Sequence, residues 1–214
     1  MTSWASGSSR RPRFRVGVSR NSAHMQSLES HLPVVVQGTA VRRLRTSDVE
    51  RFHAYRSDAG LAMYQGWTPM SFEGAQRFIR EMASVPFLPY GAWVQLGIAD
   101  VNTDLLLGDV GLYLESDGSM AEIGFTLHRG AQGAGHATRA VQASLSLLFA
   151  ASTVNLVRAV TDSRNGQCIR VLERAGFSRS HAQHAVFKGE PCTEFVYLYD
   201  RTAPTRKPSI AATC

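Results

Sequence analysis

The sequence predicts an α/β protein, more closely an α+β arrangement around one mixed sheet. Three observations predict it. Segments with apolar residues at helical spacing alternate with short runs rich in β-branched and aromatic residues. Hairpin-type turn signals fall in the first part of the chain. Helical segments separate the later strands, as crossovers do, so the sheet mixes antiparallel and parallel pairs.

Thr39–Arg45 reads as the first strand, with Ala40, Arg42 and Leu44 alternating against Val41 and Arg43. Thr46, Ser47 and Asp48 supply capping chemistry for a helix to about Arg56. A second helix starts after Ser71, with Phe72, Ala75, Phe78, Ile79 and Met82 on one face. Trp93–Ala99 and Leu105–Glu115 are strands, joined by a turn at Asn102–Asp104. Asp117-Gly118 is a hairpin turn into the return strand Met120–His128. A glycine-rich loop follows, then a helix to about Ala151 with Ala137, Ala140, Val141, Leu145, Leu148 and Phe149 on its apolar face. Val154–Thr161 is a strand and Asn165–Ala175 a helix, closed by Gly176 just past its end. Phe177–Lys188 and Phe195–Tyr199 complete the order β-α-α-β-β-β-α-β-α-β-β.

At 214 residues, 44% hydrophobic and 19% charged, the chain holds enough apolar surface for one sizeable core. Three parts are expected: a disordered basic arm over residues 1–30, a folded domain over 31–201, and a disordered tail over 202–214. The Arg- and Ser-rich start also fits a mitochondrial transit peptide, but Pro12 lies inside the Arg cluster and no amphipathic period is present. No apolar run approaches the roughly 18 residues of a membrane span, and the first 30 residues carry no apolar signal segment.

The net charge of +6 belongs to the two ends. Residues 29–200 hold 15 basic and 17 acidic side chains, a net of −2. A nucleic-acid enzyme is expected to carry its basic patch on the folded body, so nucleic acid is not the expected partner. Cys168, Cys192 and Cys214 are odd in number and lack C-x-x-C spacing, which argues against a disulfide framework and a zinc site. A reducing, cytoplasmic home follows most simply. His181 and His184 fall on opposite faces of a strand, so no metal is expected there either.

The most informative stretch runs from Glu122 to Thr138: strand, short loop, helix. Gly130, Gly133 and Gly135 let the backbone take positive φ and approach a ligand closely. The following helix offers unpaired N–H groups and about half a positive charge at its start. Together these favour a phosphate or pyrophosphate site, the alternative being a tight strand-to-helix turn without a ligand. A dinucleotide fingerprint is disfavoured, because the third glycine and the acid about 20 residues on are both missing. No Gly-Lys-Ser/Thr is present for a Walker loop.

Gln132-Gly133-Ala134-Gly135-His136-Ala137 matches Q/R-x-x-G-x-G/A, the acetyl-CoA pyrophosphate motif of the GCN5-related N-acetyltransferases (GNAT). The run Ala121–Val141 resembles the subgroup that includes the RimJ and RimL ribosomal-protein acetyltransferases. Thr161–Phe177 resembles its N-x-x-S-x-x-x-L-x-x-x-G-F segment, and the two motifs stand in order, 33 residues apart from Gln132 to Asn165. The similarity covers about residues 38–199. It implies the GNAT acyl-CoA N-acyltransferase fold, acetyl-CoA as co-substrate, and direct attack of an amine on the thioester. It also implies a sheet that splays beside Met120–His128. The pantetheine arm would pair with the backbone of Phe125, Thr126 and Leu127. Coenzyme contacts are implied at Gln132, Gly133, Ala134, Gly135, His136, Ala137, Thr138 and Asn165. A homodimer is common among relatives.

By the same resemblance Glu122 is the candidate base, acting through water. Alternation places it on the strand face of Gly124, Thr126 and His128; the alternative is an acid capping or pairing with a nearby arginine. Cys168 stands where relatives usually have Ser, near the departing sulfur. A thiol is a weaker donor than a hydroxyl, and Cys168 shares a helical face with Val171, Leu172 and Ala175, so a buried inert cysteine is the alternative. Asn165 is a helix cap, a pantetheine contact, or both. Arg129, Arg139 and Arg170 either add charge near the coenzyme phosphates or are solvated. Tyr64 and Trp67 either wall the acceptor cleft or pack. His128 could relay a proton, and Tyr197 and Tyr199 look like packing residues. The expected function is acetyl transfer to a primary amine of a protein N-terminus or small molecule; the alternative is a weak or inactive CoA-binding regulatory protein.

Overall fold

Alternating apolar residues, tight turns and two amphipathic crossovers produce one eight-stranded sheet. The computed structural model describes residues 31–203. The basic arm and all but the first two residues of the expected tail lie outside the described residues. The elements are β1 (Val34–Val36), β2 (Thr39–Arg43), α1 (Val49–Arg56), α2 (Ala59–Ala62), α3 (Phe72–Ser84), β3 (Trp93–Asp100), β4 (Leu106–Leu114), β5 (Ala121–Leu127), α4 (His136–Ala151), β6 (Leu156–Asp162), α5 (Gly166–Arg174), β7 (Ser178–Phe187) and β8 (Glu190–Asp200). The strands lie in the order β1-β2-β3-β4-β5-β6-β8-β7. Every neighbouring pair is antiparallel except β5 with β6, so the sheet is mixed as expected.

Helices cover both faces. The buried stripe of α4 (Ala137, Ala140, Val141, Leu145, Leu148) packs with Val94, Leu96, Ile98, Val110, Leu112 and Ile123 of the central strands. On the other face, Phe52 and Tyr55 of α1 and Ala75 and Ile79 of α3 pack with Leu44 and Leu106. Each fully buried Leu or Ile removes enough apolar area from water to favour folding by roughly 1.5–3 kcal/mol.

Two elements had no strong signal in the sequence. β1 is only three residues long and joins β2 through Gln37 (φ 44°) and Gly38 (φ 82°), a turn with both central residues in the left-handed region. α2 is a single turn capped by Asp58, whose Oδ1 accepts from the Gly60 and Leu61 N–H groups. β8 also begins earlier than expected. Its polar start, Glu190–Glu194, pairs with β7 across the Lys188-Gly189 turn.

The feature that positions the site is a failed ladder. β5 and β6 share register only at Ala121↔Val157 and Glu122↔Arg158. Beyond Glu122 the strands part, so Ile123–Leu127 pairs with β4 alone. The splay expected from the family resemblance is therefore present, with its mouth at the C-terminal end of β5.

Candidate active site

The wedge between β5 and β6 opens into a cleft of about 430 Å³. Phe125, Thr126 and Leu127 line one side, followed by Gln132, Gly133, Gly135, His136, Ala137 and Thr138. Asn165 and Cys168 line the opposite side, from the start of α5. Residues far apart in sequence thus meet around one space.

The loop is built by local bonds. The His128 ring Nδ1 accepts the Gly130 N–H at 3.1 Å and caps a tight turn over Arg129–Ala131, so this histidine has a structural task. Gln132 turns back and donates its amide to the Leu127 carbonyl at 3.2 Å. Gly133 and Gly135 both take φ 82°, where a side chain would be strained. Arg139 donates to the Ala134 carbonyl at 2.7 Å and to Thr39 Oγ1 at 3.0 Å, tying the loop to the start of β2. Arg139 is thus neither simply solvated nor aimed outward.

Gly135 is the N-cap of α4 and offers no side-chain acceptor. Among the described residues the N–H groups of Gly133, Ala134, Gly135, His136, Ala137 and Thr138 have no acceptor; the first paired amide is that of Arg139, bonded to the Gly135 carbonyl. A row of free amides at the positive end of a 16-residue helix suits an anion in charge and in hydrogen-bonding capacity. His136 adds little positive charge at neutral pH. Burial, and then the nearby Arg139, hold its pKa below the usual histidine value.

Asn165 caps α5, its Oδ1 accepting the Cys168 N–H at 3.2 Å, and it also lines the cleft. Burial pushes the Cys168 thiol up to about 11, against a smaller opposing pull from a hydrogen bond with Thr161. The group is a thiol at neutral pH.

Glu122 is 5% exposed and sits on the last shared rung of β5 and β6. Its Oε2 accepts from Arg158 Nε at 2.9 Å and Nη2 at 2.5 Å. It is not among the residues that line the cleft. Other candidates separate in the same way. Tyr64 lines the cleft, whereas Trp67 is buried against the Arg56 guanidinium, 4.6 Å from its ring centre. Arg129 is engaged by Asp58. Arg170 and Arg174 line the cleft with no ion-pair partner among the described residues. Tyr197 donates to Glu173 at 3.1 Å, and Tyr199 packs between Phe149 and Phe177.

Three contributors escaped the sequence reading: Asp58, Gln65 and Arg158. Each acts through a partner 36 to 71 residues away, and no local period marks such a pairing. Among the described residues, no group of three His, Cys, Asp or Glu side chains is placed to hold a metal. No described helix is long and apolar enough to cross a membrane.

Residues 39–178 match the family described as Acetyltransferase (GNAT) domain. The chain belongs to the GNAT acetyltransferases. An uncharacterized N-acetyltransferase, p20, from Bacillus licheniformis is 26% identical over 140 residues, covering 65% of this chain and 78% of that protein. The fold resembles a GNAT-family acetyltransferase from Bacillus anthracis, with a TM-score of 0.70 at 19% identity, covering 79% of this chain and 99% of that one. It also resembles RimL, a ribosomal L7/L12 alpha-N-protein acetyltransferase solved with coenzyme A. There the TM-score is 0.67 at 17% identity, covering 79% of this chain and 97% of that one. The GNAT enzyme described here is an acetyl-CoA-dependent acyltransferase, and the free amides of residues 133–138 fit the diphosphate of that co-substrate.

Proposed function

We propose that this GNAT enzyme transfers acetyl from acetyl-CoA directly to a primary amine, of a protein N-terminus or a small molecule, in the manner of the RimJ/RimL subgroup and in the cytoplasm. The observation that carries the reading is the run of six amides, from Gly133 in the loop to Thr138 in the first turn of α4, that have no acceptor among the described residues and stand beside the free edge of β5. The diphosphate sits on those amides. Pantetheine follows Leu127 and Phe125 toward the apex of the wedge, where the amine meets the thioester.

The chemistry then divides among few groups. The amine attacks the thioester carbon, and negative charge grows on the carbonyl oxygen. Main-chain N–H groups on the free edge of β5 are the donors suited to stabilise it. The C–S bond breaks as the tetrahedral species collapses. Cys168 donates a hydrogen bond to the departing sulfur; a thiol held near 11 keeps its own proton and stabilises the thiolate without losing it. The proton shed by the amine passes through water to Glu122. Arg158 holds one oxygen of that carboxylate, and Oε1 has no partner among the described residues.

A second reading, a CoA-binding protein with little turnover, draws on the same two residues: the thiol at 168 and the arginine-held carboxylate at 122. Mass spectrometry of a cell lysate treated with the enzyme and isotopically labelled acetyl-CoA separates the two. Labelled N-acetyl products support transfer, and coenzyme binding without any labelled product supports the second reading. In the same assay Glu122→Gln is expected to lower transfer by about 10²–10⁴-fold, the scale of a lost general base, with acetyl-CoA binding retained. Unchanged transfer would remove Glu122 from the mechanism.

A further inference from the structure

One segment is tied to both halves of the split sheet. Toward β5, Arg129 donates to both carboxylate oxygens of Asp58, from Nε at 2.5 Å and Nη2 at 2.9 Å. Farther along, Gln65 Nε2 donates to the Phe125 carbonyl at 3.3 Å. Toward the other half, Lys188 at the β7–β8 turn donates to the Ala62 carbonyl at 2.7 Å and the Trp67 carbonyl at 3.0 Å. Arg164, just past β6, lies 5.8 Å over the Tyr64 ring. Segment 58–67 is therefore strung across the wedge, and Leu61, Tyr64 and Gln65 face the cleft.

Of these attachments, the Gln65 bond is the one that lies on the coenzyme's path. Phe125 belongs to the part of β5 that has no β6 partner. Its carbonyl points into the wedge, on the edge a pantetheine amide would use. We propose that Gln65 is a positioning residue that couples coenzyme occupancy to the placement of segment 58–67. This rests on reading the cleft as the acetyl-CoA site. A bond of 3.3 Å is at the weak end for a neutral N–H donor. A coenzyme N–H arriving at the same oxygen displaces Gln65. The stretch between Ala62 and Trp67, which carries Tyr64 and Gln65, then shifts while Lys188 holds its two ends and Asp58 holds the start of the segment. The acceptor wall thereby senses whether the acyl donor is in place, through one side chain and without any change in the sheet.

Hydrogen exchange of the full chain, with and without coenzyme A, tests this without knowledge of the acceptor. In the wild type, coenzyme A is expected to change exchange across residues 61–66 by about threefold or more, the scale of one hydrogen bond. In Gln65→Leu that response disappears, while coenzyme A affinity by calorimetry stays within about threefold. Lys188→Met, which removes the two hydrogen bonds that reach the segment from the other half, raises exchange in both states and keeps the response to coenzyme. A response that persists in Gln65→Leu, or is absent from a wild type shown to bind coenzyme A, overturns the inference alone. A wild type that does not bind coenzyme A overturns the reading of the cleft along with it.

Discussion

Cys168 shows how far residue identity alone carries a mechanism. The sequence marks it as a departure from the family's serine, and the fold then decides what a thiol can do there. Burial holds its proton more tightly than in a free cysteine, so thiolate is scarce until the pH nears about 11. Alkylation of Cys168 by iodoacetamide, followed by peptide mass spectrometry, should therefore accelerate only toward that pH, well above the ordinary cysteine value of about 8.5. Rapid labelling at pH 8 would contradict a thiol whose proton is held this tightly. Glu122 gives the opposite lesson. Its strand face was legible from alternation and a nearby arginine was its alternative partner, but that the arginine is Arg158 was not legible, because the pair forms only where β5 and β6 become parallel neighbours.

Among elements, the strand–loop–helix unit around Gly135 was the most legible, because glycine spacing and helix polarity are local properties. Gly135 takes φ 82°, and a Cβ there would stand 3.2 Å from Arg139 Nη1. Gly133 shares that φ but has nothing within 4 Å of a Cβ. Gly135→Ala is thus expected to cost about 1–2 kcal/mol of stability from backbone strain. It should also weaken acetyl-CoA binding about tenfold or more as Arg139 and the loop amides are pushed out of line. Gly133→Ala should show the strain and a smaller loss of affinity. Urea unfolding and calorimetry on both variants check this, and equal affinity losses would show that Arg139 does not set the loop. β1 and α2 were illegible for a physical reason. Three and four residues are too few to show a period, and both form through contacts supplied elsewhere: β1 by pairing with β2, and the start of α2 by an aspartate that Arg129 secures.

At the scale of the molecule, the mixed sheet followed from the order of hairpins and crossovers. The splay did not follow from periodicity or composition; only the family resemblance implied it. The wedge gathers a glycine loop, a helix start and two arginines, Arg170 and Arg174, that have no ion-pair partner among the described residues, inside a body that is net negative between residues 29 and 200. A polyanionic coenzyme is drawn by that local field, whatever the overall charge. The central claim is that main-chain amides of residues 133–138 hold the coenzyme's diphosphate. The most direct measurement is a titration of ¹⁵N-labelled protein with coenzyme A, followed by amide resonances. The expected result is that the Gly133–Thr138 amides move most, with shifts of the kind new hydrogen bonds to phosphate produce. Saturation with coenzyme A while those resonances stay in place and others move would contradict the account.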